Sequence, residues 1–235
     1  MSRLPRVVAP GLPHHVTQRG NRRQRTFFTD EDYAEYRGLL ADSCRRCGTQ
    51  VLAYCLMPNH VHLIMVPGDA LGLRDALGEA HRRYTRMINF REGWKGHLWQ
   101  ERFHSFVMDE QHLLAAVRYV ERNPVRARLC ARPEDWRWSS AAAHLAGRDD
   151  TLVSVRPLLE LVPDWERFIG ADDDEKVNDL LRGHGSTGRP LGADSFVESL
   201  ERLLARPLKR KKPGPKGRER DTYTGDLFSA GNGIG

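Results

Sequence analysis

The chain has 235 residues, 40% of them apolar, enough for one core domain with appendages or two small domains. Its formal net charge is +6 and its sequence pI about 9.3, a balance that points to polyanionic partners, nucleic acid before anionic membrane. No stretch approaches the ~18 apolar residues of a membrane span, and MSRLPRVVAPGLPHHV lacks the long apolar core of a signal peptide, so the expected location is the cytoplasm.

In chain order, His14 to Arg19 reads as a first strand, ended by the turn-prone Gly20-Asn21. Thr29-Asp30 caps a helix running to about Cys47, and Gly48 closes it. Val51 to Met57 and His60 to Val66 are strands separated by Pro58-Asn59, close enough to pair as a hairpin. Leu73 to about Phe90 is a helix, with Leu73, Leu77, Ala80, Tyr84 and Ile88 on its apolar stripe and Arg82, Arg83 and Arg86 off it. Phe103 to Met108 is a strand. Asp109 caps the next helix, which should stop near Arg122 because Pro124 disfavours helical geometry at Asn123. The order is strand, helix, strand, strand, helix, strand, helix, which implies an α+β fold: an antiparallel sheet with helices on its faces.

Beyond residue 150 the character changes. Leu158 to Ile169 is a short apolar segment, Asp172-Asp173-Asp174-Glu175 an acidic patch, and Phe196 to Leu204 one further short helix. The basic run KRKKPGPKGRER and the Gly-rich end after it lack the apolar residues to form a core and should be disordered when free. The chain therefore divides into 1–150, a helical extension 151–208, and a tail 209–235. The cysteines (Cys44, Cys47, Cys55, Cys130) are expected to be reduced packing residues, since the one C-x-x-C has no second half of a zinc site.

Two local patterns carry chemistry. In Asn59-His60-Val61-His62 the histidines are two apart on a strand, so both imidazoles face one side, as a metal ion needs. In Tyr119-Val120-Glu121-Arg122-Asn123, helical spacing puts Tyr119 and Asn123 together at the edge of the stripe formed by Leu113, Val117 and Val120. A tyrosine is a poor nucleophile unless its target is activated, which a metal bound to a phosphate achieves. Asn123 offers a neutral oxygen as a third ligand. Taken alone, each pattern is more often packing than chemistry.

MPNHVHLI followed by RYVERNPVRARL resembles the HUH-type single-tyrosine transposases, and within them those associated with repetitive extragenic palindromes. VTQRGNRRQRTFF, LWQERFHSFVMDE, WRWSS and RGHGSTGRPLGADSFVESLERLL support the resemblance, which spans about residues 3 to 212. It implies a ferredoxin-like or RRM-like sheet with the histidines on a central strand. It also implies that Tyr119 attacks a DNA phosphate to give a 5′-phosphotyrosine and a free 3′-hydroxyl. His60, His62 and Asn123 would bind Mg2+ or Mn2+, and manganese also suits imidazole ligands. The implied partners are single-stranded and hairpin DNA, with the protein at the nucleoid and acting as a monomer, a shared-site dimer being the family's other arrangement. Phosphate contacts are expected from Arg19, Arg22, Arg23 and Arg25, from Arg82, Arg83 and Arg86, and from Lys209, Arg210, Lys211, Lys212 and Lys216. A replication or mobilisation nickase with the same chemistry, or a non-catalytic RRM-like binding protein, are the competing readings.

Overall fold

In a computed structural model, residues 6–171 and 174–209 are described. The expected order is observed: β1 (His14–Arg19), α1 (Asp30–Arg46), β2 (Gln50–Met57), β3 (His60–Val66), α2 (Gly72–Glu92), β4 (His104–Val107) and α3 (Glu110–Glu121). The strands form one sheet in the order β2-β3-β1-β4, antiparallel throughout. This is the ferredoxin-like arrangement: the β2–β3 hairpin lies on one side of β1 and β4 on the other.

Strand alternation divides the side chains into two layers. Val16, Val61, Leu63, Met65, Tyr54 and Leu56 pack on one face against α1 and α2. Ile64, Ala53, Cys55, Met57 and Phe106 pack on the other against Leu113, Ala116, Val117 and Val120 of α3. β3 is thus apolar on both faces, as expected of a strand covered on both sides. α1 begins at its expected cap. Asp32 accepts from the backbone N–H of Thr29 (3.1 Å) and Phe28 (2.8 Å), and Arg91 at the end of α2 pairs with the same carboxylate. The cysteines are free thiols, Cys44 and Cys55 buried, as the packing reading requires.

α3 ends at Glu121, and Arg122 caps it while opening a further turn, α4 (Asn123–Arg126). The helix thus stops near Arg122 as expected, and Pro124 falls in the first turn of a new helix, where a proline lacks no hydrogen bond that would otherwise form. The rest of the described chain folds back onto this core. It comprises α5 (Ala141–Leu145), α6 (Arg156–Leu159), α7 (Trp165–Gly170), α8 (Glu175–Thr187) and α9 (Asp194–Leu203). Trp165, Ile169 and Leu181 join the α3 layer, and Leu191 exchanges backbone hydrogen bonds with Val107 and Asp109 at the end of β4. Leu208 is buried with Val7, Val107 and Leu200. The described fold therefore runs through Lys209, whose ammonium pairs with Glu198 at 2.7 Å. Among the described residues, no helix is long and apolar enough to cross a membrane.

One polar cluster lies inside the α3 layer. Glu121 is fully buried; its Oε1 accepts from Ser140 Oγ (2.5 Å) and His144 Nδ1 (2.6 Å), and its Oε2 from Trp165 Nε1 (3.3 Å). Ser140 also bonds the backbone of Tyr54 in β2 through both N–H and Oγ. The end of α3 is thereby tied to β2, α5 and α7. Removing the carboxylate leaves His144 Nδ1 and Trp165 Nε1 buried without that acceptor, while Ser140 Oγ keeps the Tyr54 carbonyl at 3.3 Å. Glu121→Ala is expected to lower unfolding free energy by about 3–5 kcal/mol, read from denaturant midpoints, with Glu121→Gln milder. A loss near zero would show that the cluster does not hold the layer together.

Candidate active site

The site is built on the sheet face that α1 and α2 leave uncovered. β3 presents His60 and His62 there, and register sets Thr17 of β1 opposite His62 and Arg19 opposite His60. Tyr119 enters from α3, its ring centroid 5.6 Å from that of His62 and the two rings nearly perpendicular. The histidine rings are 5.0 Å apart. Together with His15, His104 and four residues of α8 (Leu181, Arg182, Gly185 and Ser186), these side chains line a pocket of about 300 Å³.

Hydrogen bonds engage the Nδ1 of both histidines, and for His60 they fix what it offers to a ligand. Asn59 Nδ2 donates to the carbonyl oxygen of Arg23 (2.9 Å), so its Oδ1 accepts from His60 Nδ1 at 2.6 Å. His60 then carries its proton on Nδ1 and keeps Nε2 bare. The Nδ1 of His62 is likewise engaged, by His15 Nε2 at 3.0 Å. Burial, helped by the Arg19 charge, pushes His60 down to about 3. Burial also holds His62 well below the usual imidazole range, with the neighbouring His60 and His15 adding to it. Both rings are therefore neutral near pH 7, the form that ligates metal.

Among the described residues, no group of three His, Cys, Asp or Glu side chains is placed to hold a metal ion, so a third protein ligand would have to be of another kind. Asn123 sits at the start of α4, half-buried, outside the wall of the pocket. Its Nδ2 is buried without a hydrogen-bond partner. Half a turn about χ2 would put the amide oxygen there, an acceptor with no donor, which a cation satisfies. Two neutral imidazoles with Nδ1 engaged fit a divalent ion.

Cations surround Tyr119. The guanidinium of Arg126 donates to its carbonyl oxygen (2.6 Å) and lies over its ring, 4.2 Å from the centroid. Arg182 of α8 pairs with Glu175 (2.8 Å) and Asp179 (2.6 Å). Its pKa is raised chiefly by Glu175, with further contributions from Asp179 and from Tyr119. Arg19 is lowered by partial burial and by Arg23, and Tyr119 acts on it in the opposite sense.

The basic residues fall into separate groups. Arg22 and Arg23 form a tight turn in the left-handed region (φ 53° and 61°), which costs non-glycine residues roughly 1–3 kcal/mol each. The Asn59 amide that orients His60 also holds this turn. Gly20 precedes it because a Cβ there would lie 2.4 Å from the carbonyl oxygen of Gln24. Arg23 and Arg25 line a groove that adjoins the pocket at His60 and has Trp136 and Leu129 in its wall. Arg82, Arg83 and Arg86 are brought elsewhere: they are exposed on α2, beyond the other face of the sheet, beside Glu35 and Phe90. Arg82 is bidentate with Glu79. Lys209 is paired with Glu198, and Arg210, Lys211, Lys212 and Lys216 lie outside the described residues. Of the aromatic residues nearby, Trp99 and Phe103 are buried in the core, Trp94 is 42% exposed, and His104 reaches the pocket.

Sequence reasoning missed His15, Arg182 and Ser186. His15 was legible in principle, since alternation along β1 puts it with Thr17 on the face that pairs with His62. The α8 residues had no such signal, because their helix follows an acidic patch and contains Gly183 and Gly185. The geometry predicts that imidazole ¹⁵N spectra will show His60 as the neutral Nδ1–H tautomer, protonating near pH 3. An Nε2–H tautomer would contradict the Asn59 assignment, and titration at the ordinary value of about 6.5 would contradict the burial of the ring.

The sequence model of the family described as "Transposase IS200 like" matches residues 10–123. A Haemophilus influenzae protein named "Putative REP-associated tyrosine transposase" is 24% identical over 129 residues, covering 50% of this chain and 73% of its own. The solved structure of a REP-associated tyrosine transposase bound to a REP hairpin superposes with a TM-score of 0.50 at 23% identity, over 66% of this chain and 92% of that one. At that identity the likeness supports the fold alone, a four-stranded antiparallel sheet flanked by helices. With the family match running from just before β1 to Asn123, residues 10–123 of the chain belong to the IS200-like transposase family.

Proposed function

We propose that this transposase cuts and rejoins single-stranded DNA through a covalent tyrosine link, using Tyr119 as nucleophile and His60, His62 and Asn123 to hold Mg2+ or Mn2+. The observation that carries the reading is the packing of Tyr119 beside two neutral imidazoles whose Nδ1 atoms are both engaged. Bound there, a divalent cation withdraws charge from the scissile phosphate and offsets the negative charge that builds on it.

The protein's own groups do the remainder. Arg19 and Arg182 flank the pocket and are suited to phosphate oxygens on either side of the scissile bond. The Tyr119 oxygen forms a bond to phosphorus as the P–O3′ bond breaks, and the phenolic proton ends on the departing 3′ oxygen. The product is a 5′-phosphotyrosine and a free 3′-hydroxyl, and the reverse step rejoins the strand. Arg126 across the ring stabilises the phenol oxygen as it gains negative character. Because the nucleophile and the histidines come from one chain, a monomer carries a complete site.

The substrate reading follows the relative whose solved structure holds a REP hairpin. We assign single-stranded DNA to the pocket and the adjoining Arg23–Arg25 groove, and the duplex of a hairpin to further basic surface that includes the tail from Arg210. The location that fits is the cytoplasm, at the nucleoid. Residues 1–150 would then be the catalytic domain and 151–208 an extension that closes the pocket with α8.

Tyr119→Phe removes only the phenol oxygen. It should abolish the covalent protein–oligonucleotide adduct seen by denaturing electrophoresis and mass spectrometry while leaving DNA binding intact. Chelation should abolish the adduct in the unaltered protein, and Mn2+ should restore it. An adduct on Tyr119→Phe would move the nucleophile to another tyrosine, and full activity in chelator would end the metal assignment. The tail is tested separately. Leu208 is part of the core, so the cut belongs after Lys209. The shortened chain should still form the adduct at saturating DNA. It should bind hairpin DNA more weakly, its log–log salt slope shallower by about one unit per lost phosphate contact. Identical slopes would leave the tail without a role in DNA binding.

A further inference from the structure

The Nδ1 of His62 faces a third imidazole rather than the carboxylate or carbonyl that usually backs a ligating histidine. His15 is 3% exposed and lies alongside His62, with centroids 5.3 Å apart and planes 8° from parallel. Phe106 and Tyr119 meet its ring edge-on at 5.2 and 6.0 Å. Its other nitrogen, Nδ1, is buried with no hydrogen-bond partner.

Between two neutral imidazoles a single proton occupies the His15–His62 bond, and its position decides what His62 can do. If His15 Nε2 carries it, His62 accepts on Nδ1 and holds its own proton on Nε2, where it blocks a metal. If His62 Nδ1 carries it, His15 accepts and His62 Nε2 is bare. His60 faces no such choice, because the Asn59 amide is oriented by Arg23. His15 Nδ1 has no competing partner that would hold the proton arrangement otherwise, and only the second arrangement, with His15 accepting, leaves His62 Nε2 open to a cation.

We propose that His15 is a positioning residue that accepts a hydrogen bond from His62 Nδ1 and thereby sets the tautomer in which His62 ligates the metal. The inference rests on the metal reading of His60 and His62 given above. It concerns metal affinity and ring orientation, since His15 contacts no reacting atom.

The test is Mn2+ affinity of the full chain, measured from the paramagnetic resonance signal of the free ion, with metal-free thermal unfolding as a control for folding. His15→Phe keeps an aromatic ring against His62, Phe106 and Tyr119 but removes the acceptor. Mn2+ affinity should fall by roughly 10- to 100-fold, the usual effect of losing such a partner. His15→Gln loses the ring but places a carbonyl oxygen near the Nε2 position, and should recover most of the affinity. A residue that only packs gives the opposite order, with phenylalanine tolerated and glutamine not, and that order overturns the proposal. If the phenylalanine variant fails to fold, ¹⁵N spectra of the unaltered protein loaded with Mg2+ decide instead. His15 must then appear as the Nδ1–H tautomer, and Nε2–H overturns the proposal. Unchanged affinity in His15→Phe defeats this inference alone. Loss of His62-dependent Mn2+ binding in the unaltered protein defeats the metal reading and this inference together.

Discussion

The buried carboxylate of Glu121 is the contact on which the site's geometry depends. It lies two residues after Tyr119 and accepts from Ser140, His144 and Trp165, which belong to separate pieces of chain. The β3 register alone brings His60 and His62 to a free sheet face, but it does not say where the tyrosine helix crosses that face. The Glu121 cluster does, by anchoring the end of α3 to β2 through Ser140 and Tyr54. A polar cluster buried without a full set of partners is costly, so this one has a single favourable arrangement, and with it Tyr119 has a single position.

Around that position the protein concentrates positive charge and neutral ligands. His15, His60 and His62 lie close together and are all kept uncharged by burial, with His15 and His60 each held at about 3. The permanent charges near Tyr119 belong to arginines, which stay protonated. The division suits a site that must attract a phosphate and a cation at once: the imidazoles do not compete with the cation for charge, and the guanidiniums meet the phosphate. Asn59 joins the two systems, since one amide orients His60 and holds the strained Arg22–Arg23 turn.

Most of the fold was legible because it follows from alternation, helical spacing and caps. Thr29, Gly48, Pro58-Asn59 and Asp109 mark the boundaries found, and the apolar stripe of α2 is the one the spacing predicts. His60, His62 and Tyr119 were legible because their spacing is local. What the sequence did not disclose is long-range. His15 gains its partner only through the β1–β3 register, and Arg182 reaches Tyr119 from a helix more than sixty residues on. The α2 arginines looked like their counterparts after β1, yet the sheet separates the two groups. Leu208, the residue just before the basic run, is core because Val7 and Leu200 cover it.

The central claim is that His60 and His62 form a metal site through their Nε2 atoms beside Tyr119. Anomalous diffraction from crystals of the full chain grown with Mn2+ tests it most directly. The account predicts a single strong peak bonded to Nε2 of both histidines, with the Asn123 side-chain oxygen as the third protein ligand and the Tyr119 hydroxyl facing the same pocket. A peak on other residues, or none at saturating Mn2+, would contradict it.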